Sequence, residues 1–204
     1  MGFEKEAIEW INGELLGDGR LELNTSGSVR FRYSSKYFEY IEYIKNMINS
    51  FGINGEKIYK YPRTIKSDGY KYVSHTHKEL LNLQQKWYLN NKKIVPKDLN
   101  LTFLTCRQWY IGDGQLSCQG KRNPYIRLHA QGFSIYDVEW LVNQLIKLGF
   151  KATRRPSKNN IGISTYSTKE FLNYIGECPV KCYEYKFDYK GIKNKIKEDK
   201  TVLK

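Results

Sequence analysis

The chain has 204 residues, enough to bury a sizeable core as one domain or two small ones. Apolar residues make up 40% and aromatics 15%, which excludes a disordered chain. The 34 Lys and Arg against 21 Asp and Glu leave a net +13 and point to a polyanionic partner, since each phosphate neutralised by a cation releases a condensed counterion.

No apolar run reaches about 18 residues, so no membrane-spanning helix and no membrane partner is expected. The N-terminus, MGFEKEAIEW, is acidic where a presequence would be basic, and Glu6 stands where a myristoylation signal needs Ser or Thr. An intracellular, non-secreted protein is expected, with bacterial cytoplasm and organelle equally compatible. Cys106, Cys118, Cys178 and Cys182 lack the paired spacing of a zinc site and are read as reduced thiols. His75 and His77 have no third ligand in view and are read as surface or phosphate-facing residues.

In chain order, KEAIEWINGELLG has helical spacing of its apolar residues and stops at Gly17-Asp18-Gly19. Leu21 and Leu23 then alternate with Arg20, Glu22 and Asn24, the pattern of a half-buried strand. In SVRFRYS, Val29, Phe31 and Tyr33 face one side and Ser28, Arg30, Arg32 and Ser34 the other. A helix follows at roughly 37–51. KIYKYPRT and YKYVSHT read as two strands joined through Ser67-Asp68-Gly69, a hairpin-type turn. A helix from Lys78 to Tyr88 closes the unit.

The same order then recurs. The two Gly-Asp-Gly sites lie 95 residues apart, Gly52 and Gly149 lie 97 apart, and Leu81 and Leu172 lie 91 apart, so a duplicated αββαββα unit is expected. The fold class is α+β: residues 1–92 form the first repeat, 93–100 a polar linker, 101–189 the second repeat and 190–204 a basic tail.

Counting back from the paired glycines aligns Arg30 with Arg127, Arg32 with His129 and Ser34 with Gln131. Ile126, Leu128 and Ala130 face the core, and Tyr125, Arg127, His129 and Gln131 face away. Such residues read base edges and phosphates in the major groove, so the polar faces are expected to form a saddle along duplex DNA. Glu22 is an acid among them, and acids accept from cytosine N4. Arg63, Lys66 and Lys71 extend the candidate DNA surface in the first half. Gln115, Ser117, Gln119, Lys121 and Arg122 extend it in the second, with Arg154, Arg155 and Lys158 further along.

If the two Gly-Asp-Gly helices pack side by side, Asp18 and Asp113 meet at their ends. Gly13 and Gly17, four apart, allow close approach; Gln108 stands where Gly13 does and needs a partner, a backbone carbonyl being one option. Two adjoining carboxylates resist ionisation unless a cation joins them, and Mg²⁺ with its preference for oxygen suits that place.

INGELLGDG (11–19) and CRQWYIGDG (106–114) resemble the two motifs of the single-chain LAGLIDADG homing endonucleases, over roughly residues 5–190. The second motif keeps only Gly-Asp-Gly and its apolar character. The resemblance implies a monomer with two pseudo-twofold related repeats and packed motif helices. It also implies Mg²⁺-dependent cleavage of both strands at a long asymmetric site, promoting intron mobility. Mn²⁺ or Ca²⁺ would occupy the same site, Ca²⁺ without supporting cleavage. Asp18 and Asp113 then bind metal, assisted by the carbonyls of Gly17 and Gly112. Gln131, Lys93 and Lys186 (Lys181 in an alternative assignment) belong to the implied polar shell. A free-standing or intron-encoded enzyme is expected over an intein. The rival readings are an RNA-splicing maturase that binds its intron, a non-catalytic DNA-binding regulator and a zinc-stabilised ribosome-associated binder.

Overall fold

The computed structural model describes residues 3–64, 67–118 and 123–192. In the first half, α1 (Lys5–Leu16), β1 (Arg20–Leu23), β2 (Val29–Ser35), α2 (Phe38–Ser50), β3 (Tyr59–Thr64), β4 (Ser67–Thr76) and α3 (Lys78–Trp87) follow one another. A two-residue-per-strand hairpin, β5 (Tyr88–Leu89) and β6 (Lys92–Lys93), precedes the second half. There α4 (Phe103–Asp113), β7 (Gly114–Ser117), β8 (Tyr125–Leu128), α5 (Ile135–Lys147), β9 (Ala152–Arg155), β10 (Asn160–Ile163) and α6 (Thr168–Ile175) repeat the order. The strand orders β1-β2-β4-β3 and β7-β8-β10-β9 are the same and every pairing is antiparallel.

Alternation builds each sheet with one apolar face. In β2, Val29, Phe31 and Tyr33 are buried while Arg30, Arg32 and Ser34 stay partly exposed. In β8, Ile126 and Leu128 are buried between Tyr125 and Arg127. The helices close over the apolar faces, and their starts are fixed by side-chain caps: Ser134 accepts the Asp137 amide, and Thr102 the Thr105 amide. α1 and α4 form the seam between the halves. Both are buried over most of their surface, with Trp10, Ile11, Leu15 and Leu16 packed in the same core as Trp109, Tyr110 and Ile111.

The seam is tight because Gly13 has no side chain. A β carbon there would lie 2.6 Å from the Thr105 carbonyl oxygen and 2.7 Å from Gln108 Cβ. Gln108 finds the Tyr43 hydroxyl, not a backbone carbonyl, with its Nε2 at 3.2 Å.

Four expectations change. Ser67-Asp68-Gly69 lie inside β4, with Tyr61 opposite Gly69 and Thr64 opposite Ser67; the connection falls on 65–66, outside the described residues. Lys93, the first residue of the polar linker, ends the β5–β6 hairpin, which is turned by Asn90 and Asn91 at φ 49° and 61°, a left-handed pair that asparagine tolerates. Val95 and Leu99 of that linker are buried in the core.

The register of the repeat also shifts. Arg20 pairs with Arg32 and Glu22 with Arg30, whereas Gln115 pairs with Arg127 and Ser117 with Tyr125. The counterpart of Arg32 is therefore Arg127, and that of Arg30 is Tyr125, at the 95-residue offset of the acids. Two extra residues between β8 and α5 produce the offset of 97 at the later glycines. A shift of two leaves every side chain on its expected face, which is why the polar faces were assigned correctly despite the wrong partners. Finally, β8 ends at Leu128, and the β7–β8 register carries on for one more bond, from the His129 amide to the Asp113 carbonyl (2.9 Å).

Candidate active site and nucleic-acid interface

Asp18 lies in the turn after α1 and is exposed; Asp113 is the last residue of α4 and partly buried. The helix ends meet at Gly17 and Gly112. A β carbon on Gly112 would sit 3.4 Å from Gly17 Cα and 3.6 Å from the Asp18 amide nitrogen, and one on Gly17 would sit 3.8 Å from the Asp113 nitrogen. The two acids thus spring from adjoining backbone. Burial raises the Asp113 carboxyl to about 7; the Asp18 charge adds to this, and Lys93 and Lys186 oppose it.

Two lysines reach the same helix ends. Lys93 on β6 donates its Nζ to the carbonyls of Leu15 (2.8 Å), Gly17 (3.2 Å) and Gly19 (2.7 Å). Lys186 donates to those of Ile111 (2.5 Å) and Gly112 (3.2 Å). Each ammonium therefore holds the carbonyl that precedes an acid. Burial brings both down to about 8, against the opposing pull of Asp113 and Asp18.

Lys186 is delivered by a short 3-10 helix, Lys181–Lys186, strapped onto the first half. Glu39 of α2 accepts the amides of Lys181 (2.7 Å) and Cys182 (3.2 Å). Tyr183 meets Tyr37 and Tyr40 edge to face, and its hydroxyl lies 3.3 Å from that of Ser35. Lys181 itself is fixed by its backbone at the start of this strap and is exposed, so Lys186 is the lysine that reaches the helix end.

Gln131 is exposed in the turn after β8 and bonds His129 Nδ1 (3.1 Å). His129, with Gln115, Tyr185 and Lys186, lines the groove beside Asp113. The groove beside Asp18 is lined by Arg20, Arg32, Ser34, Lys36, Tyr61 and Arg63 among others. Lys36, Tyr61, Tyr183 and Tyr185 were not singled out from the sequence. Alternation along β3 would have put Tyr61 beside Arg63; nothing in local spacing marks the other three. Beneath Asp18, Glu14 is fully buried, with the Tyr40 hydroxyl donating to Oε1 (2.8 Å) and Oε2 without a partner. Burial pushes its carboxyl well above the usual range; the Tyr40 bond opposes this and the Asp18 charge adds to it. Glu14 is thus a carboxyl that favours keeping its proton.

The donor chemistry fits a hard divalent cation. The acids and the carbonyls of Gly17 and Gly112 are all oxygen donors, and among the described residues no group of three or more His, Cys, Asp or Glu gathers anywhere. An ion here would draw its remaining ligands from water and phosphate, and its charge would oppose the burial and the Asp18 charge that together raise the Asp113 carboxyl.

The polar sheet faces are cationic. Arg20, Arg30, Arg32 and Ser34 lie on that of the first sheet, together with Arg63 and with Lys71, whose Nζ stands 5.6 Å from the Tyr59 ring. Asn24 and Ser28 close the β1–β2 hairpin through the Asn24 amide and Ser28 carbonyl. On the second sheet Gln115, Ser117, Tyr125, Arg127 and Arg155 share the polar face, and Lys158 is exposed at the β9–β10 turn. Arg154 does not belong with them. It pairs across strands with buried Ile161 and reaches Glu139 of α5 (3.3 Å), because neighbours in a strand point to opposite faces. Lys66, Gln119, Lys121 and Arg122, and the tail from 193, lie outside the described residues. His77 caps α3 by accepting the Glu79 amide and stacks on Phe3 at 4.9 Å, so it is not phosphate-facing.

The sequence profile of the LAGLIDADG DNA endonuclease family matches residues 8–171, which spans both acids and both sheets. The chain belongs to this family. Among its relatives, the probable intron-encoded endonuclease 1 of Wickerhamomyces canadensis is 28% identical over 191 residues, covering 87% of this chain and 82% of that protein. The cytochrome b mRNA maturase bI2 of Debaryomyces hansenii is 27% identical over 161 residues, 74% of this chain. This chain spans only 60% of the maturase's length. Among solved structures, the homing endonuclease I-WcaI bound to its DNA recognition sequence superposes with a TM-score of 0.78 at 23% identity, covering 92% of this chain and 88% of that one. That likeness establishes the LAGLIDADG fold: two α+β repeats with antiparallel sheets and motif helices at the seam. No helix among the described residues is long and apolar enough to cross a membrane.

Proposed function

We propose that this chain is a homing endonuclease that hydrolyses both strands of duplex DNA at a long, asymmetric target with a divalent metal ion, Mg²⁺ in the cell, and so promotes the mobility of its intron. The supporting observation is the junction of Gly17 with Gly112, which starts two acids from adjoining backbone beneath two arginine-bearing sheet faces. Asp18 and Asp113, with the carbonyls of Gly17 and Gly112, would hold the metal. Bound there, it would polarise the phosphate, ready a water for attack and stabilise the leaving oxygen.

The chain's own groups do the rest. Lys93 and Lys186 fix the carbonyls beside the acids, and their ammonium charges offset the negative charge that builds on the phosphate. With pKa values near 8 they can also exchange a proton near neutral pH. His129 and Gln131, bonded to each other, present a polar edge beside Asp113. Arg20, Arg32, Lys36 and Arg63 around Asp18 suit a phosphate backbone. The single chain carries both acids, so the unit acts as a monomer in two halves, 1–92 and 101–189.

A second reading follows from the maturase relative: the same cationic faces would accept the intron RNA. Selection of cleaved sites from a randomised DNA library with Mg²⁺ separates the two. A non-palindromic consensus supports the nuclease. No cleaved product from any duplex, with tight binding of the intron RNA, supports the maturase.

A further inference from the structure

The two sheets hold their arginines by different chemistry. On the first, Glu22 faces Arg30 across β1 and β2, with Arg32 on the diagonal. Arg30 places Nε (3.2 Å) and Nη2 (3.1 Å) on Glu22 Oε2, and Arg32 places Nη1 on Oε1 (2.6 Å). Each carboxylate oxygen already serves one guanidinium, so Glu22 meets a base edge, through the lone pair left on Oε1, only alongside the arginines it holds. Ion pairs as exposed as these contribute little to stability. Their consequence is where the guanidinium groups point.

On the second sheet Ser117 stands where Glu22 does and Tyr125 where Arg30 does. The Tyr125 hydroxyl accepts from Arg127 Nη2 (2.9 Å), and its ring has the guanidinium carbon of Arg155 at 4.7 Å and that of Arg127 at 5.9 Å. Arg155 reaches the ring by crossing β10 over Gly162, where a β carbon would lie 2.5 Å from Arg155 Nε. A neutral ring thus orders two arginines without cancelling either charge.

We propose that Glu22 is a positioning residue for target specificity: it orders Arg30 and Arg32 toward the bases of one half-site while neutralising one of their charges. That half-site is then read more by sequence and less by salt-sensitive phosphate attraction than it would be with Arg30 and Arg32 unpaired. Ordering an arginine before binding reduces the conformational freedom lost at the interface. This inference rests on the DNA-cleavage reading above.

The test is equilibrium binding in EDTA, over a KCl series, to the selected target and to a scrambled duplex, with a library selection for bound sites. For Glu22→Gln the slope of log K against log salt steepens by about 0.9 on both duplexes. Affinity for the scrambled duplex rises, and base discrimination falls about tenfold at positions confined to one half-site. Ser117→Glu, which places a carboxylate in the matching register of the second sheet, makes the slope shallower by about 0.9. Unchanged slopes in both variants, or discrimination lost evenly across both half-sites, overturn the proposal. A wild-type protein that binds no duplex removes the DNA reading itself, a separate result from either of these.

Discussion

Gly17 and Gly112 meet backbone to backbone, each at the end of a motif helix and each one residue before an acid. Four residues up α1, Gly13 has no such latitude, since its missing β carbon would overlap Thr105 and Gln108. Gly13→Val should therefore cost at least about 1–3 kcal/mol through overpacking of the seam. Gly112→Ala, whose β carbon would make ordinary contacts, should cost under about 1 kcal/mol. Urea denaturation of both variants checks the order; a Gly13→Val protein as stable as Gly112→Ala would mean that the seam is looser than described.

Asp18→Asn and Asp113→Asn should each bind target DNA with near wild-type affinity and lose at least about a hundredfold in Mg²⁺-dependent cleavage. The reason is that either amide leaves one carboxylate to hold cations that two were placed to share. Plasmid cleavage by both variants at the wild-type rate would put the chemistry elsewhere.

Lys93→Met and Lys186→Met should lower cleavage by about 10–100-fold with little change in binding, because each removes an ammonium from the carbonyls beside an acid. Glu39→Gln should reduce cleavage less, by loosening the strap that carries Lys186. Single-turnover rates measured with binding constants distinguish these effects from lost affinity.

The metal-free protein should be less stable at pH 7 than at pH 5 by an amount traceable to Asp113 and Glu14. Both carboxyls titrate higher in the folded state than in the unfolded chain. Between the usual carboxylate range and their folded values the native state binds more protons, so stability falls as pH rises. The contribution is complete below about pH 4 and, for Asp113, is lost by about 7, at up to about 1.4 kcal/mol per pH unit. Asp113→Asn and Glu14→Gln should each flatten the pH slope relative to wild type. Mg²⁺ should stabilise more at pH 8 than at pH 5, since it binds the deprotonated site. Denaturation midpoints across this range, with and without Mg²⁺, decide it.

Arg32→Ala and Arg127→Ala should each cost about 1–3 kcal/mol at particular base positions, whereas Arg154→Ala should leave the selected consensus unchanged. Arg154 faces α5 and Glu139, away from the other arginines. A consensus altered by Arg154→Ala would reverse the assignment of faces on β9.

The fold was legible because its signals are local or periodic. Alternation in SVRFRYS and helical spacing before each Gly-Asp-Gly report side-chain direction within a few residues, and duplication printed those signals twice. The same locality explains the errors. Counting from Gly52 and Gly149 spread a two-residue insertion over the whole repeat, which paired Arg30 with Arg127 when Tyr125 is its partner. Ser67-Asp68-Gly69 has turn chemistry but is held extended by the pairing of β4 with β3.

By itself, then, the chain's order of residues determined the two αββαββα units, the position of Asp18 and Asp113 at helix ends and a cationic polar face on each sheet. Only the tertiary structure decided that Lys93 and Lys186, one from a hairpin and one from a strap, converge on the carbonyls beside those acids. It alone decided that Glu22 is claimed by two arginines and that Arg155 crosses Gly162 to reach Tyr125. Periodicity fixes which way a side chain leaves its own element. What it meets depends on how separate elements pack, and no local spacing encodes that.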